Sequence, residues 1–158
     1  MKALIIFDSY FGNTEKIARA IGSVFKSPHE YSIVKVTDFK PEHLNGVELL
    51  IVGSPTRGFR YSENTGVFLK NLPPHSLTGI KAAVFDTRTA MQEVKSAFVR
   101  FLARSFGYAA EPMMKALVQK GATVSARPEG YYVKASEGPL KDGEFDRAVD
   151  WARGLIQG

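Results

Sequence analysis

The sequence predicts an α/β domain built on a parallel, doubly wound sheet. Three observations carry that reading. Short apolar runs recur with stretches of helical periodicity between them, and no two-residue hairpin turn joins any two of the runs. The chain also opens with a strand, a small polar turn and a helix in immediate succession. At 158 residues and 44% hydrophobic composition it can bury a real core, and its length suits a single domain over residues 1–158.

Residues 2–8 (KALIIFD) form a continuous apolar run, short enough for a strand buried on both faces. Ser9, Tyr10, Phe11, Gly12, Asn13 and Thr14 follow. From Glu15 a helix starts, with Ile17, Ala18, Ile21, Val24 and Phe25 at helical spacing. Residues 31–36 (YSIVKV) alternate like an edge strand with one wetter face, closed by Thr37 and Asp38. Residues 48–53 (ELLIVG) are again a buried run, ending in the turn-rich loop 54–62 and a short helix over 65–72. Pro73, Pro74 and Gly79 break that helix before a fourth strand at 81–86 (KAAVFD).

Two apolar stripes come next: Val94, Ala97, Phe98, Phe101 and Leu102, then Ala109 through Met113, Met114, Leu117 and Val118, ended by Gly121. The fifth strand begins at 122–126, is interrupted by Arg127-Pro128-Glu129-Gly130, and resumes at 131–133. A last helix runs from about Gly143, with Asp142 as its expected cap and Phe145, Ala148, Val149, Ala152, Leu155 and Ile156 facing inward.

Composition removes several kinds of chemistry. With no cysteine there is no disulfide, thiolate nucleophile or iron–sulfur site, so redox chemistry must come from a bound cofactor. His29, His43 and His75 sit in loops without carboxylate pairing, and no metal site is expected. No Gly-x-Ser-x-Gly turn or other nucleophile arrangement occurs, so no catalytic side chain is expected. The N-terminus lacks a signal-peptide pattern and no apolar run is long enough to span a membrane, which makes the cytoplasm the expected location. The net charge of +5 permits an anionic partner, but the basic residues are scattered and nothing indicates nucleic acid.

The turn from Ser9 to Thr14 is the most informative stretch. A strand that passes straight into a helix leaves the first helical N–H groups without acceptors, and the Ser9 and Thr14 hydroxyls and the Asn13 amide join them. Gly12 lets the backbone approach a ligand closely, and the positive helix end favours an anion such as phosphate. The plainer alternative is that Asn13 or Thr14 only caps the helix. The spacing of Ile5-Ile6-Phe7, Ser9, Gly12, Thr14, Ala18 and Ile21 resembles the FMN phosphate-loop signature of the flavodoxin family. It is not a dinucleotide glycine turn. Nor is it a Walker A loop, because Gly53 to Gly58 is followed by Phe59-Arg60 where Lys-Ser/Thr is required.

The resemblance covers essentially the whole chain, including the absence of a long insertion in the fifth strand. It implies a flavodoxin-like three-layer αβα sandwich with a five-stranded parallel sheet in the order 2-1-3-4-5. It further implies FMN at the carboxyl ends of the strands. There Ser9, Tyr10, Phe11, Gly12, Asn13 and Thr14 would take the phosphate end, with Pro55, Thr56, Arg57, Gly58 and Phe59 on one side of the flavin. Asp86, Thr87 and Arg88, in a loop starting at Asp86, would stand on the other. Gly58 could change its peptide orientation on flavin reduction. Phe59 or Tyr61 would stack on the ring, the alternative being that both pack on the sheet or lie on the surface. The second loop departs from the family by offering Thr87, Arg88, Thr89, Ala90 and Met91 where a tyrosine is common.

Three functions remain open. The leading one is an FMN-binding electron carrier serving redox partner proteins or a small electron donor or acceptor. The second is a small FMN-dependent NAD(P)H:quinone or flavin reductase, in which Arg57, Arg60 or Arg88 holds an anionic reactant. The third is an interaction module on the same fold without FMN. If Arg57, Arg60 and Arg88 face the flavin, its potential should be less negative than in acidic carriers; otherwise they are solvated surface charges. Residues 92–106 add a helix whose stripe faces the core, covers the flavin or forms a homodimer seam.

Overall fold

β1 (Lys2–Phe7), β2 (Glu30–Lys35), β3 (Leu49–Pro55) and β4 (Lys81–Thr89) lie side by side in the order β2-β1-β3-β4, all parallel. The computed structural model describes residues 1–90 and 95–158, apart from the side chains of residues 102, 103, 105 and 106. The expected stripe member Val94, the side chain of Leu102, and Met91 therefore lie outside what is described.

β5 (Thr123–Val124) and β6 (Glu129–Val133) both pair with β4, the first at Lys81 and Ala82 and the second from Phe85 to Thr89. They are two pieces of the fifth strand. The break falls at Arg127-Pro128, where proline brings no N–H to the ladder. The sheet order 2-1-3-4-5 is the one expected, with its last strand divided.

Alternation along the strands sorts the core into two layers. Leu4, Ile6, Leu50, Val52 and Val84 pack with α2 (Glu63–Asn71) and α4 (Ala110–Gln119). Ala3, Ile5, Ile51, Ala83 and Phe85 pack with α1 (Asn13–Gly22) and α5 (Glu144–Gln157). β1 and β3 read as unbroken apolar runs because both of their faces are covered, whereas β2 has exposed positions and stands at the sheet edge.

Several local expectations are corrected. α1 starts at Asn13 behind Gly12 and stops at Gly22, so Phe25 is buried beyond the helix and not on its face. Asp142 does not cap α5: the capping position is Gly143, without a side-chain bond, and the Asp142 carboxylate lies 3.7 Å from Lys134 Nζ. Phe145 does not face inward either. It is 46% exposed, because Glu144 takes the buried place and its carboxylate accepts the Tyr132 N–H at 2.7 Å and Arg147 Nη1 at 2.7 Å. In α3 (Ala97–Phe106), Phe98 and Phe101 are 68% and 63% exposed, so at these positions the stripe does not face the core.

The most consequential correction concerns β4. It continues past the expected end at Asp86 to Thr89, so Thr87, Arg88 and Thr89 belong to a strand and not to a loop; β6 supplies the ladder partner that keeps them extended.

Gly53 shows how closely the sheet and its cover fit. A Cβ there would collide with the ring of Phe85, which is held edge-on by Tyr131 and Trp151 at 5.9 and 6.4 Å between ring centres. Gly53→Ala is expected to cost about 1–3 kcal/mol through overpacking. Urea unfolding measures this, and an unchanged midpoint would mean that Phe85 has room to move.

Candidate functional site

The polar turn after β1 is built around Gly12, which has φ +89° and forms the N-cap of α1. A side chain would strain that backbone, although a Cβ would meet nothing within 4 Å. Ser9 Oγ accepts the Gly12 N–H at 2.9 Å, and the Gly12 carbonyl accepts the first helical N–H, from Lys16, at 3.1 Å. Among the described residues, the N–H groups of Tyr10, Phe11, Asn13, Thr14 and Glu15 have no acceptor.

Neither candidate cap serves as one. Asn13 Nδ2 instead donates to the Glu137 carbonyl at 3.1 Å, and the Thr14 hydroxyl meets that of Thr87 at 2.8 Å. The side chains that would ordinarily quench the helix start are turned to other segments. A row of uncommitted N–H donors at the positive end of a helix remains.

Four strand ends close around this turn, where an open α/β sheet binds its ligands. A cavity of about 80 Å³ is lined by Ser9, Tyr10, Phe11, Asn13 and Thr14, by Pro55, Thr56 and Arg57 after β3, and by Thr87 and Arg88 of β4. Thr89, from the second flanking segment, Val133 and Ser136 complete it, and sequence reasoning missed the last two as site residues. The general rule that ligands sit beyond the carboxyl ends of strands could have pointed to the segment after the fifth strand. No motif within residues 133–138 marks it.

Gly58 and Phe59 lie elsewhere. Arg57 and Arg60 exchange both backbone hydrogen bonds, at 2.9 and 3.0 Å, across a two-residue turn whose central residues have φ +53° and +66°. Positive φ at both central positions is the mirror-image hairpin turn, easy for Gly58 and strained for Phe59. The turn brings the Arg57 guanidinium to 5.0 Å from the Tyr10 ring centre and 5.5 Å from that of Phe11. Gly58, Phe59 and Tyr61 line an adjoining cleft, and Tyr61 also packs against the core on the α2 side.

Asp86 does not line the cavity. Its side chain is fully buried and accepts Arg88 Nε at 2.5 Å, Arg88 Nη2 at 2.7 Å and the Ala110 N–H at the start of α4 at 2.9 Å. Burial pushes the Asp86 carboxyl upward, while Arg88 and the Ala110 N–H pull against it. Arg88, itself largely buried, is held cationic by that carboxylate and lies 3.7 Å over the Tyr108 ring. Its charge is already paired within the protein, which corrects the expectation that it faces the site as an uncompensated cation. A second tie fixes the same corner: Thr56 Oγ1 accepts the Ala109 N–H at 3.0 Å. Among the described residues no group of histidines and carboxylates is placed to hold a metal ion, and no helix is long and apolar enough to cross a membrane.

Comparison with solved structures places this architecture. Oxidised flavodoxin 1 from Bacillus cereus superimposes with a TM-score of 0.78 over 99% of this chain and 98% of its own, at 23% sequence identity. The fold is flavodoxin-like. The flavodoxin of Streptococcus pneumoniae TIGR4 matches with a TM-score of 0.74 at 17% identity, covering 99% of both chains. Two-electron reduced Megasphaera elsdenii flavodoxin gives 0.69 at 17% identity, also over 99% of both. No protein-family model matches this flavodoxin-like chain, and no curated protein matches its sequence.

Proposed function

We propose that the chain binds FMN and serves as an electron carrier between redox partners in the cytoplasm. The observation that carries this reading is the set of N–H groups of Tyr10, Phe11, Asn13, Thr14 and Glu15 without acceptors, placed around a left-handed Gly12 with open space above it. A dianionic phosphate suits that donor set, since backbone N–H groups at a helix start need no lysine to hold it. The Thr14 and Thr87 hydroxyls each have further hydrogen-bonding capacity for a hydroxylated chain. The residues present therefore fit the group.

The small cavity has room for the phosphate end. Arg57, which also lines it, is held there only by its exposed cation–π contacts with Tyr10 and Phe11, worth about 0.5–1 kcal/mol. When bound, FMN supplies one- and two-electron redox chemistry. The protein's part is position and field: Ser9 to Thr14 hold the phosphate, Pro55 and Thr56 form one wall, and Thr87 to Thr89 form the other. Because the charge of Arg88 is paired with Asp86, any cationic influence on the flavin potential falls to Arg57 and Arg60.

FMN added to the purified protein is expected to bind in a one-to-one ratio, with quenched flavin fluorescence and a perturbed visible spectrum. Anaerobic potentiometric titration should then resolve two one-electron steps. Direct reduction by NAD(P)H in a single two-electron step would replace the carrier with a reductase, and no spectral change on adding FMN would remove the flavin from this site.

A further inference from the structure

The connection between β2 and β3 holds no α-helix. It is spanned by two short 3-10 helices, Val36–Asp38 and Pro41–Leu44, where parallel strands usually carry a full helix. These pieces cover less of the sheet than a helix would, and a groove of about 700 Å³ lies between them and α2. Its size is that of a small-molecule site, roughly 300–1,000 Å³. The groove shares no lining residue with the cavity at the Ser9 to Thr14 turn and meets the cleft beside Phe59 only at Val67.

Phe39, Leu44, Phe68 and Leu72 give the groove its apolar body, with the Phe39 and Phe68 rings edge-on at 4.9 Å between centres. Among the described residues no charged side chain lines it, in a chain where 23% of residues are charged. Its polar groups are neutral instead: Thr37, Asn45, Asn64, Asn71 and Ser76. Among the described residues the three side-chain amides make no hydrogen bond, and each offers donors and an acceptor. Ser76 Oγ is buried and likewise without a partner. The turn that seats it has the Ser76 N–H donating to the Pro73 carbonyl at 3.2 Å and His75 at φ +60°, a left-handed backbone uncommon outside glycine. A buried hydroxyl left unpaired is a standing cost, which an incoming acceptor removes.

An ion entering this groove would shed its water with no counter-charge to meet it. An uncharged ring with a hydrogen-bonding substituent matches both the apolar body and the neutral amides. We propose that the groove binds a small uncharged molecule in which an aromatic ring carries an amide or other carbonyl group, the carbonyl accepting from Ser76 or an asparagine amide. The site does not depend on the flavin reading, because its recognition groups lie on α2, on the β2–β3 connection and at Ser76.

The test is an amide NMR titration of the full chain with 2-naphthamide and with the anion 2-naphthoate, repeated after saturation with FMN. Naphthamide should shift residues 36–45 and 64–80, leave residues 9–14 in place, and bind equally well with FMN present. It should bind at least about tenfold tighter than naphthoate, at low and at high salt alike. Ser76→Ala should weaken naphthamide about two- to tenfold, the worth of one hydrogen bond, while the urea midpoint of the free protein stays level or rises. A merely structural serine would lower that midpoint on replacement. Asn71→Lys, at an exposed position, should admit naphthoate and so narrow the preference. Shifts confined to residues 9–14 or 54–62, naphthoate as tight as naphthamide, or no loss in Ser76→Ala would each overturn the proposal. So would displacement by FMN, or a dimer of the chain that closes the groove to naphthamide. If the protein takes up no FMN, the titration of the protein as purified still decides this proposal, so the two failures read separately.

Discussion

Gly12→Asp is expected to leave the protein folded and to lower its FMN affinity on the order of a hundredfold. Aspartate tolerates the left-handed backbone better than most residues, and a Cβ at this position meets no neighbouring atom, so the strain is local to the turn and the helix start survives. The carboxylate would stand where the proposed phosphate binds. Two unit charges about 5 Å apart at an effective dielectric near 20 repel by about 3 kcal/mol, hence the size of the loss. Gly12→Asn has nearly the same shape without the charge and should lose far less. Flavin fluorescence titration with circular dichroism as the folding control measures both. Equal losses for Asp and Asn would mean that shape, and not phosphate charge, governs the turn.

Arg88→Met is expected to produce the largest loss of stability, about 3–5 kcal/mol near neutral pH, because it strips the partner from a fully buried carboxylate. The pH dependence identifies the cause. Burial already pushes Asp86 upward, and without Arg88 the main opposing influence is gone. The folded variant then keeps a proton on Asp86 over a range where the unfolded chain, ionising near 3.9, has released it. A folded state that binds more protons loses stability as pH rises, so the deficit should be small near pH 4 and grow toward neutrality. The wild type bends the same way, less steeply. Urea unfolding between pH 4 and 8 checks this, and a pH-independent deficit would show that the loss comes from packing against Tyr108.

The Asp86–Arg88 pair also shows where reading the sequence stops. Two residues apart on a strand, their side chains share a face, so the pairing was available to a period-2 argument. Ending the strand at Asp86 hid it. Residues 87–89 carry no apolar run, and they stay extended because β6 lies beside them. Val133 and Ser136 were hidden for a related reason: their place beside the turn depends on the register of β6 against β4 and on the Asn13 bond to the Glu137 carbonyl. The expected cap at Asp142 and the inward Phe145 failed on one competitor, the buried Glu144 serving Tyr132 and Arg147.

What the sequence by itself determined is the succession of strands and helices, the sheet order through its resemblance to flavodoxins, and an anion-seeking turn at Ser9 to Thr14. These are legible because burial on both faces writes an unbroken apolar run, and because a strand running directly into a helix leaves its N–H groups exposed wherever it occurs. Tertiary structure decided which of three similar cations stands against a buried carboxylate. Arg57, Arg60 and Arg88 look alike in the chain, yet Arg88 is paired with a buried aspartate over Tyr108, whereas Arg57 and Arg60 are set side by side above an aromatic cleft. The reason is physical: residues 86 and 88 share a face only while the strand continues, and it is β6 beside β4 that keeps it extended there.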